Sequence, residues 1–306
     1  MKRRSFIASA GALGVAGAAS LGKAATTSTA KSSLGKAFSM KFAPHFGMFS
    51  HHAGDDQVAQ LEFAAEAGFT AWEDNGMADR PVEEQEKLAK AMERLGIEMG
   101  VFVVNMKTAW GPSFSQNNKD ETNKFLDEVR AAGDVAKRVN AKWATVVLGT
   151  RHPRIDLSYQ TAYAVDALRR ASDILMPVGL TMVLEPLNPR DHPNMLLAEM
   201  GHAYEICRAV DSPACKILDD LYHQQITEGN LIPNINRAWD EIAYFQIGDN
   251  PGRREPTTGE INYLKVFSHI KDKGFTGILG MEHGLSKGGK EGELALIEAY
   301  QACDPG

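Results

Sequence analysis

Thr181-Met182-Val183-Leu184-Glu185-Pro186-Leu187-Asn188 is a short apolar run that ends on a carboxylate and a proline. A run of this length and aliphatic content reads as a strand buried on both faces, the pattern of a parallel sheet. Packing gives no reason for a charge at the end of such a strand. The same arrangement recurs downstream in Ile217-Leu218-Asp219-Asp220-Leu221, Ala243-Tyr244-Phe245-Gln246-Ile247 and Ile278-Leu279-Gly280-Met281-Glu282.

Outward from these runs, strand patterns over residues 41–49, 69–73, 98–104, 143–148, 181–187, 216–221, 242–247 and 278–282 alternate with helical patterns over 55–67, 82–95, 119–139, 157–178, 197–210, 230–240, 263–273 and 291–302. Pro81 near the start of the second helix and Gly96 beyond its end follow the usual asymmetry of helix termini. Strict alternation predicts parallel strands with right-handed crossovers, and eight units fit a single α/β (β/α)8 TIM barrel of ~250 residues. A doubly wound open sheet is the alternative. It calls for a glycine-rich phosphate turn after the first strand, where this chain has Phe49-Ser50-His51-His52.

In a parallel barrel the C-terminal ends of the strands form the active face. The last four strands would bring Glu185, Asp220, Gln246 and Glu282 to that mouth. A single strand-end carboxylate also reads as a helix cap; four oxygen-bearing side chains on successive strands read better as a cage for a hard divalent cation, Mg2+ or Mn2+ rather than Zn2+. Asp219 and Asp220 point to opposite faces of their strand, so one of them faces the axis. Asp220 is chosen, because Asp220-Leu221-Tyr222-His223 carries His223 to the same mouth.

The 306-residue chain has a formal net charge of −6, and its first 25 residues carry only positive charge (Lys2, Arg3, Arg4, Lys23). The remainder lacks the basic footprint that nucleic-acid binding needs, so no nucleic-acid partner is expected. Lys2-Arg3-Arg4-Ser5-Phe6-Ile7 followed by the Ala/Gly-rich stretch to Gly22 reads as a twin-arginine export signal. The stretch is too short and glycine-rich for a membrane span, so no stable membrane insertion is expected after cleavage. The expected organisation is a signal over 1–25, a flexible linker over 26–39 and a catalytic barrel over 40–306, exported to the periplasm. Cys207, Cys215 and Cys303 follow no metal-ligand spacing and read as buried thiols.

Three segments carry a resemblance. Glu185-Pro186-Leu187-Asn188-Pro189-Arg190-Asp191, Asp220-Leu221-Tyr222-His223-Gln224-Gln225 and Gly252-Arg253-Arg254-Glu255-Pro256-Thr257-Thr258-Gly259-Glu260-Ile261-Asn262-Tyr263 resemble the hydroxypyruvate isomerases of the xylose isomerase-like TIM-barrel superfamily, with sugar 3-epimerases among their relatives. The resemblance implies that Glu185, Asp220, Gln246 and Glu282 hold the metal, and that Glu185 and Glu282 form the catalytic acid/base pair. It implies that His223 and Arg253 hold substrate oxygens; His45 and Asp191 join them as substrate-binding candidates. His283 departs from the pattern, since an aromatic such as Tyr often follows the last glutamate.

The expected reaction is isomerisation of a small α-hydroxy-carbonyl compound through an enediolate, with a small keto-acid or sugar as partner. A homo-oligomer is compatible with this reading. A 3-epimerase or ketose isomerase, or a non-catalytic sugar-binding barrel, stands as the alternative. An abasic-site endonuclease would need more metal-binding histidines and a basic face. Secondary candidates are Glu73, as a substrate contact or a helix cap; Trp110, on a lid-like loop; His51 and His52; Arg151 and His152; and Glu260, ordering its own loop. Arg253 has a bland alternative, pairing with Glu255 or Glu260.

Overall fold

The apolar run before Glu185 folds as strand β5 (Thr181–Leu184). It lies parallel to β4 (Trp143–Val146) on one side and β6 (Cys215–Asp220) on the other. This computed structural model describes residues 37–306, so the expected export signal over 1–25 and most of the expected linker over 26–39 lie outside the described residues. Beyond β6 the parallel sheet continues through β7 (Ile242–Gln246) and β8 (Ile278–Gly280) to β1 (Lys41–Ala43). A separate parallel pair, β2 (Ala71–Trp72) and β3 (Glu98–Met99), fills the remaining arc. Single parallel bridges, His45 to Glu73 and Val103 to Thr145, close the ring at its two seams. The amide of Glu73 donates to the Pro44 carbonyl at 2.9 Å, and that of Thr145 to the Phe102 carbonyl at 2.8 Å.

The predicted eight-stranded parallel barrel is therefore present, with shorter strands than expected in its first half. The run expected over 41–49 ends as a strand at Ala43. Pro44 follows, and with no N–H it cannot extend the ladder.

Each helix begins and ends where local chemistry dictates. Asp56 accepts from the amides of Val58 and Ala59 to open α2 (Gln57–Glu66), after the short α1 (Ser50–Ala53). α3 (Val82–Leu95) ends at Gly96, whose φ of 69° is left-handed. Asn118 caps α4 (Lys119–Val139), and Asn140 closes it in the left-handed region. α5 (Leu157–Leu175), α6 (Met200–Val210), α7 (Leu221–Thr227), α8 (Leu231–Ala238), α9 (Tyr263–Asp272) and α10 (Gly289–Cys303) complete the outer layer. The short α1 and α7 were not expected. No described helix is long and apolar enough to cross a membrane.

Two apolar zones hold the fold. One lies between strands and helices. The other fills the barrel interior with Ala43, Ala71, Val101, Val183, Leu218, Tyr244 and Ile278, all fully buried. Leu218→Ala in that filled interior costs about 2–5 kcal/mol, because the ring cannot collapse onto the void. The three cysteines are buried and unbridged.

Candidate active site

Four successive strands end at one mouth with polar side chains, and each is held there by its own local structure. Glu185 follows β5 directly and is only 8% exposed. Asp220 is both the last residue of β6 and the N-cap of α7: its Oδ1 accepts from the amides of Tyr222 (2.8 Å) and His223 (3.3 Å). That leaves Oδ2 to face the mouth. Gln246 closes β7 in register with Asp220 on one side and Gly280 on the other, after a one-residue irregularity at Ile217/Leu218. Glu282 lies just beyond β8 and accepts at Oε1 from the Asn75 amide at 3.2 Å. Asp219 points the other way; it is fully buried and neither carboxylate oxygen has a partner.

Arg253 joins the cluster from the loop after β7. Its Nη2 donates to Asp220 Oδ2 and to Glu282 Oε2, both at 2.9 Å, and its Nε donates to the Glu282 carbonyl at 3.0 Å. A left-handed backbone at Arg253 (φ 50°) turns the side chain inward, and the guanidinium lies 4.9 Å from the Tyr222 ring centroid. The alternative pairing with Glu255 or Glu260 is not formed. Glu255 accepts from the Ser286 amide at 2.9 Å, and Glu260 accepts from Asn250 at 2.7 Å, ordering its own loop.

His223 is fully buried at the start of α7, with Nε2 3.6 Å from both Glu185 Oε1 and Asp220 Oδ2. The backbone amide of Asn188 donates to its Nδ1 at 3.3 Å, and the Asn188 side-chain amide does so at 2.6 Å. A backbone N–H can only donate, so Nδ1 is the acceptor and the ring proton of the neutral imidazole sits on Nε2. Burial first of all lowers His223 to about 4, which keeps the ring neutral near pH 7. The result is an N–H with no protein acceptor, aimed at the cluster.

Three carboxyls against one guanidinium leave an excess of negative charge. Burial, then repulsion from Glu282 and Asp220, pushes Glu185 well above the ordinary carboxylate range, with Arg253 opposing. Burial raises Glu282 to about 7 despite Arg253, and Asp220 adds to the rise. Glu282 keeps 28% of its side-chain surface exposed, so solvent screens part of that penalty. Below this layer Glu73 is buried, accepting from Gln246 Nε2 at 2.7 Å and from the Tyr244 hydroxyl at 2.9 Å. Burial and then the Glu282 charge push Glu73 up as well.

The donor set fits a hard divalent cation. Glu185, Asp220 and His223 bring potential ligand atoms within 4.8 Å of one another, and the Oε1 of Gln246 is buried with no hydrogen-bond partner. His223 is excluded as a ligand in this arrangement because its Nε2 carries the proton. Glu185 and Asp220 remain, with the free oxygen of Gln246 as a further candidate, donors of the kind a hard cation takes; Asp220 Oδ2 and Glu282 Oε2 accept from Arg253.

Above the cluster lies a cavity of about 170 Å³, lined by Glu185, Glu282, His223 and Arg253 below and by Trp110 and His192 above. Trp110 stacks on His192 with ring centroids 5.2 Å apart, and its indole is half exposed at the rim. Asp191 sits at the exposed rim, accepting from Asn188 Nδ2 (3.0 Å) and the Tyr222 hydroxyl (2.8 Å). His45 hydrogen-bonds the Phe46 and His283 carbonyls. His51 and His52 are spent on Glu293, through their backbone amides and their rings. Asn188, Asn75, Tyr222 and His192 were not singled out from the sequence. Asn188 and Tyr222 had a signal, their places in the quoted motifs after Glu185 and Asp220.

Residues 61–301 match the family described as the xylose isomerase-like TIM barrel. The 2-oxo-tetronate isomerase of Pectobacterium atrosepticum is 30% identical over 79% of this chain and 91% of its own length. The hydroxypyruvate isomerase of Escherichia coli is 33% identical over 52% of this chain and 62% of that enzyme. Among solved structures, an AP endonuclease of family 2 from Brucella melitensis superposes with a TM-score of 0.73 at 24% identity, covering 85% of this chain and 99% of that one, a likeness of fold alone. A closed parallel ring, a polar cluster at the C-terminal ends of its strands and relatives named as isomerases agree: the chain belongs to the xylose isomerase-like TIM barrel family.

Proposed function

We propose that the protein is a metal-dependent isomerase of small α-hydroxy-carbonyl acids, of the hydroxypyruvate or tartronate semialdehyde kind. The observation that carries this reading is the pair Glu185 and Glu282, two carboxyls of raised proton affinity at the floor of one small cavity. A proton shuttle between adjacent carbons needs such groups, each able to take up or release a proton near neutral pH.

Ionised Glu185 removes the proton from the hydroxyl-bearing carbon beside the carbonyl, protonated Glu282 delivers one to the former carbonyl carbon, the hydroxyl proton passes to the former carbonyl oxygen, and the two glutamates re-equilibrate with solvent. Charge developing on the substrate oxygens meets the Nε2–H of His223, held ready by Asn188, and the guanidinium of Arg253. Arg253 also offers bidentate geometry to a substrate carboxylate. A divalent cation held by Glu185, Asp220, Gln246 Oε1 and Glu282 would supply Lewis-acid polarisation. Trp110 and His192 exclude water from above.

The cavity of about 170 Å³ is smaller than sites for drug-sized ligands and favours a three- or four-carbon acid over a hexose. The twin-arginine reading of the N-terminus completes the proposal, with the enzyme acting after export; a tagged full-length protein recovered in the periplasmic fraction supports it, and one retained inside the cell overturns it.

Incubation with hydroxypyruvate or a 2-oxo-tetronate in D2O, with Mn2+ or Mg2+, tests the chemistry. Deuterium should enter the carbon next to the carbonyl, and Glu185→Gln and Glu282→Gln should abolish entry. Exchange on ketohexoses alone would favour the 3-epimerase alternative. No exchange on any candidate would sink the isomerase reading.

A further inference from the structure

Resting on the metal reading above, we infer that Glu73 is a positioning residue: it fixes the side-chain amide of Gln246 so that its oxygen, not its nitrogen, faces the cluster. An amide ligand has a weakness that carboxylates lack. Rotated by half a turn, it presents a donor to a cation and binds nothing. Something must therefore hold Gln246 one way up, and the structure shows what does.

Tyr244 and Gln246 both project into the barrel from β7, two residues apart. The Tyr244 hydroxyl accepts from the Val101 amide at 3.4 Å and donates to Glu73 Oε2 at 2.9 Å. That hydroxyl proton commits Oε2 as an acceptor. The other oxygen, Oε1, accepts from Gln246 Nε2 at 2.7 Å. With its nitrogen pinned on Glu73, Gln246 leaves its Oε1 buried and without a protein donor.

The backbone is shaped to admit this arrangement. A Cβ at Gly280 would overlap the Glu73 carboxylate, and a Cβ at Gly100 would overlap the Tyr244 hydroxyl. Neither glycine has the positive φ that would otherwise call for it. Two glycines on strands flanking the arc thus clear space for one carboxylate and one hydroxyl.

The test is Mn2+ binding, followed by the electron paramagnetic resonance of the free ion, so the readout does not depend on turnover. In Glu73→Gln the Tyr244 hydroxyl still donates to the new side-chain oxygen, so the new amide nitrogen faces Gln246 and forces it to flip. Affinity should fall about 10–100-fold, the usual effect of losing a group that orients a ligand. The double variant Glu73→Gln/Gln246→Glu should recover most of the loss, because the new amide donates to one carboxylate oxygen and leaves the other for the ion. Gly280→Ala keeps every charge but displaces the Glu73 carboxylate, and should also weaken binding about tenfold; this separates orientation from simple electrostatics. Circular dichroism identifies the folded variants; Glu73→Gln or Gly280→Ala alone is compared with wild type, and the double variant is compared with Glu73→Gln.

Wild-type protein that binds Mn2+, with Glu73→Gln or Gly280→Ala binding it equally well, overturns the positioning role and leaves the metal reading standing. A folded double variant no better than Glu73→Gln overturns it too. Wild-type protein that binds no Mn2+ removes the metal reading and this role together.

Discussion

The two halves of the barrel mouth are built from different materials. The arc from β5 to β8 ends in Glu185, Asp220, Gln246 and Glu282, on strands joined by continuous ladders. The arc from β2 to β4 brings one carboxylate, Glu73, which is sunk below the rim, and otherwise offers Asn75, Val103, Thr145 and Val147 to the cavity. One arc concentrates charge; the other gives shape, dryness and orientation. Burial of Glu185, Asp220 and His223 at the mouth strengthens their electrostatic interactions.

The sharpest way to break this division is to remove charge from the first arc. Glu185→Gln and Glu282→Gln should each lower proton exchange by about 10²–10⁴-fold with the fold intact by circular dichroism. A loss of less than about tenfold in both would place the proton shuttle elsewhere.

The next effect is on pH. Glu185 and Glu282 hold protons more tightly than ordinary carboxylates, Glu282 to about 7, and a cation must displace them. Mn2+ affinity measured by calorimetry should therefore rise as pH is brought up toward 7, where Glu282 releases its proton, by up to about tenfold per unit. Affinity that is flat from pH 5 to 7 would contradict the crowded cluster.

Stability should show the join between the arcs. His283, backed by the Tyr300 hydroxyl at 2.8 Å, is lowered to about 3 by burial. Its folded pKa lies below the unfolded value near 6.5, so its stabilisation is complete above pH 6.5 and is lost as pH falls toward 3. Between pH 6.5 and 5 the loss is about 2 kcal/mol, read as a falling midpoint in urea. In His283→Gln that part of the pH dependence should vanish.

The smallest effect belongs to the wall. Trp110→Ala removes one ring of a stacked pair worth about 0.5–1.5 kcal/mol, so KM should rise several-fold while kcat changes little. A collapse of kcat instead would put Trp110 among the groups that meet the transition state.

The charged arc was legible in the sequence because each of its residues ends an apolar run, a signal local to a few positions. Strand alternation says that one of Asp219 and Asp220 faces the axis, the following Leu221-Tyr222-His223 singles out Asp220, and the structure turns Asp220 to the cluster. The strands of the other arc were legible, but their lengths and joints were not. β2 and β3 shrink to two residues each, and their seams form by single bridges that no pattern announces. The two sequence readings of Asp220, helix cap and cluster member, both hold: Oδ1 caps α7 and Oδ2 accepts from Arg253. The lock of Asn188 on His223 spans 35 positions. The role read for Glu73 depends on glycines at 100 and 280, so it exists only once strands from distant parts of the chain stand side by side.

Those single-bridge seams carry a consequence for motion. A ring fastened by full ladders over most of its circumference and by isolated bridges at two points should open first at those points, as a local event costing far less than global unfolding. Native-state hydrogen exchange would then find the amides of Glu73 and Thr145, which close the two joints, exchanging faster than those of Val183 or Phe245 in the laddered arc. Glu73 stands on the moving segment, so each such breath would release Gln246, and the dissociation rate of a bound ion would be gated by the breathing of a wall that never touches it.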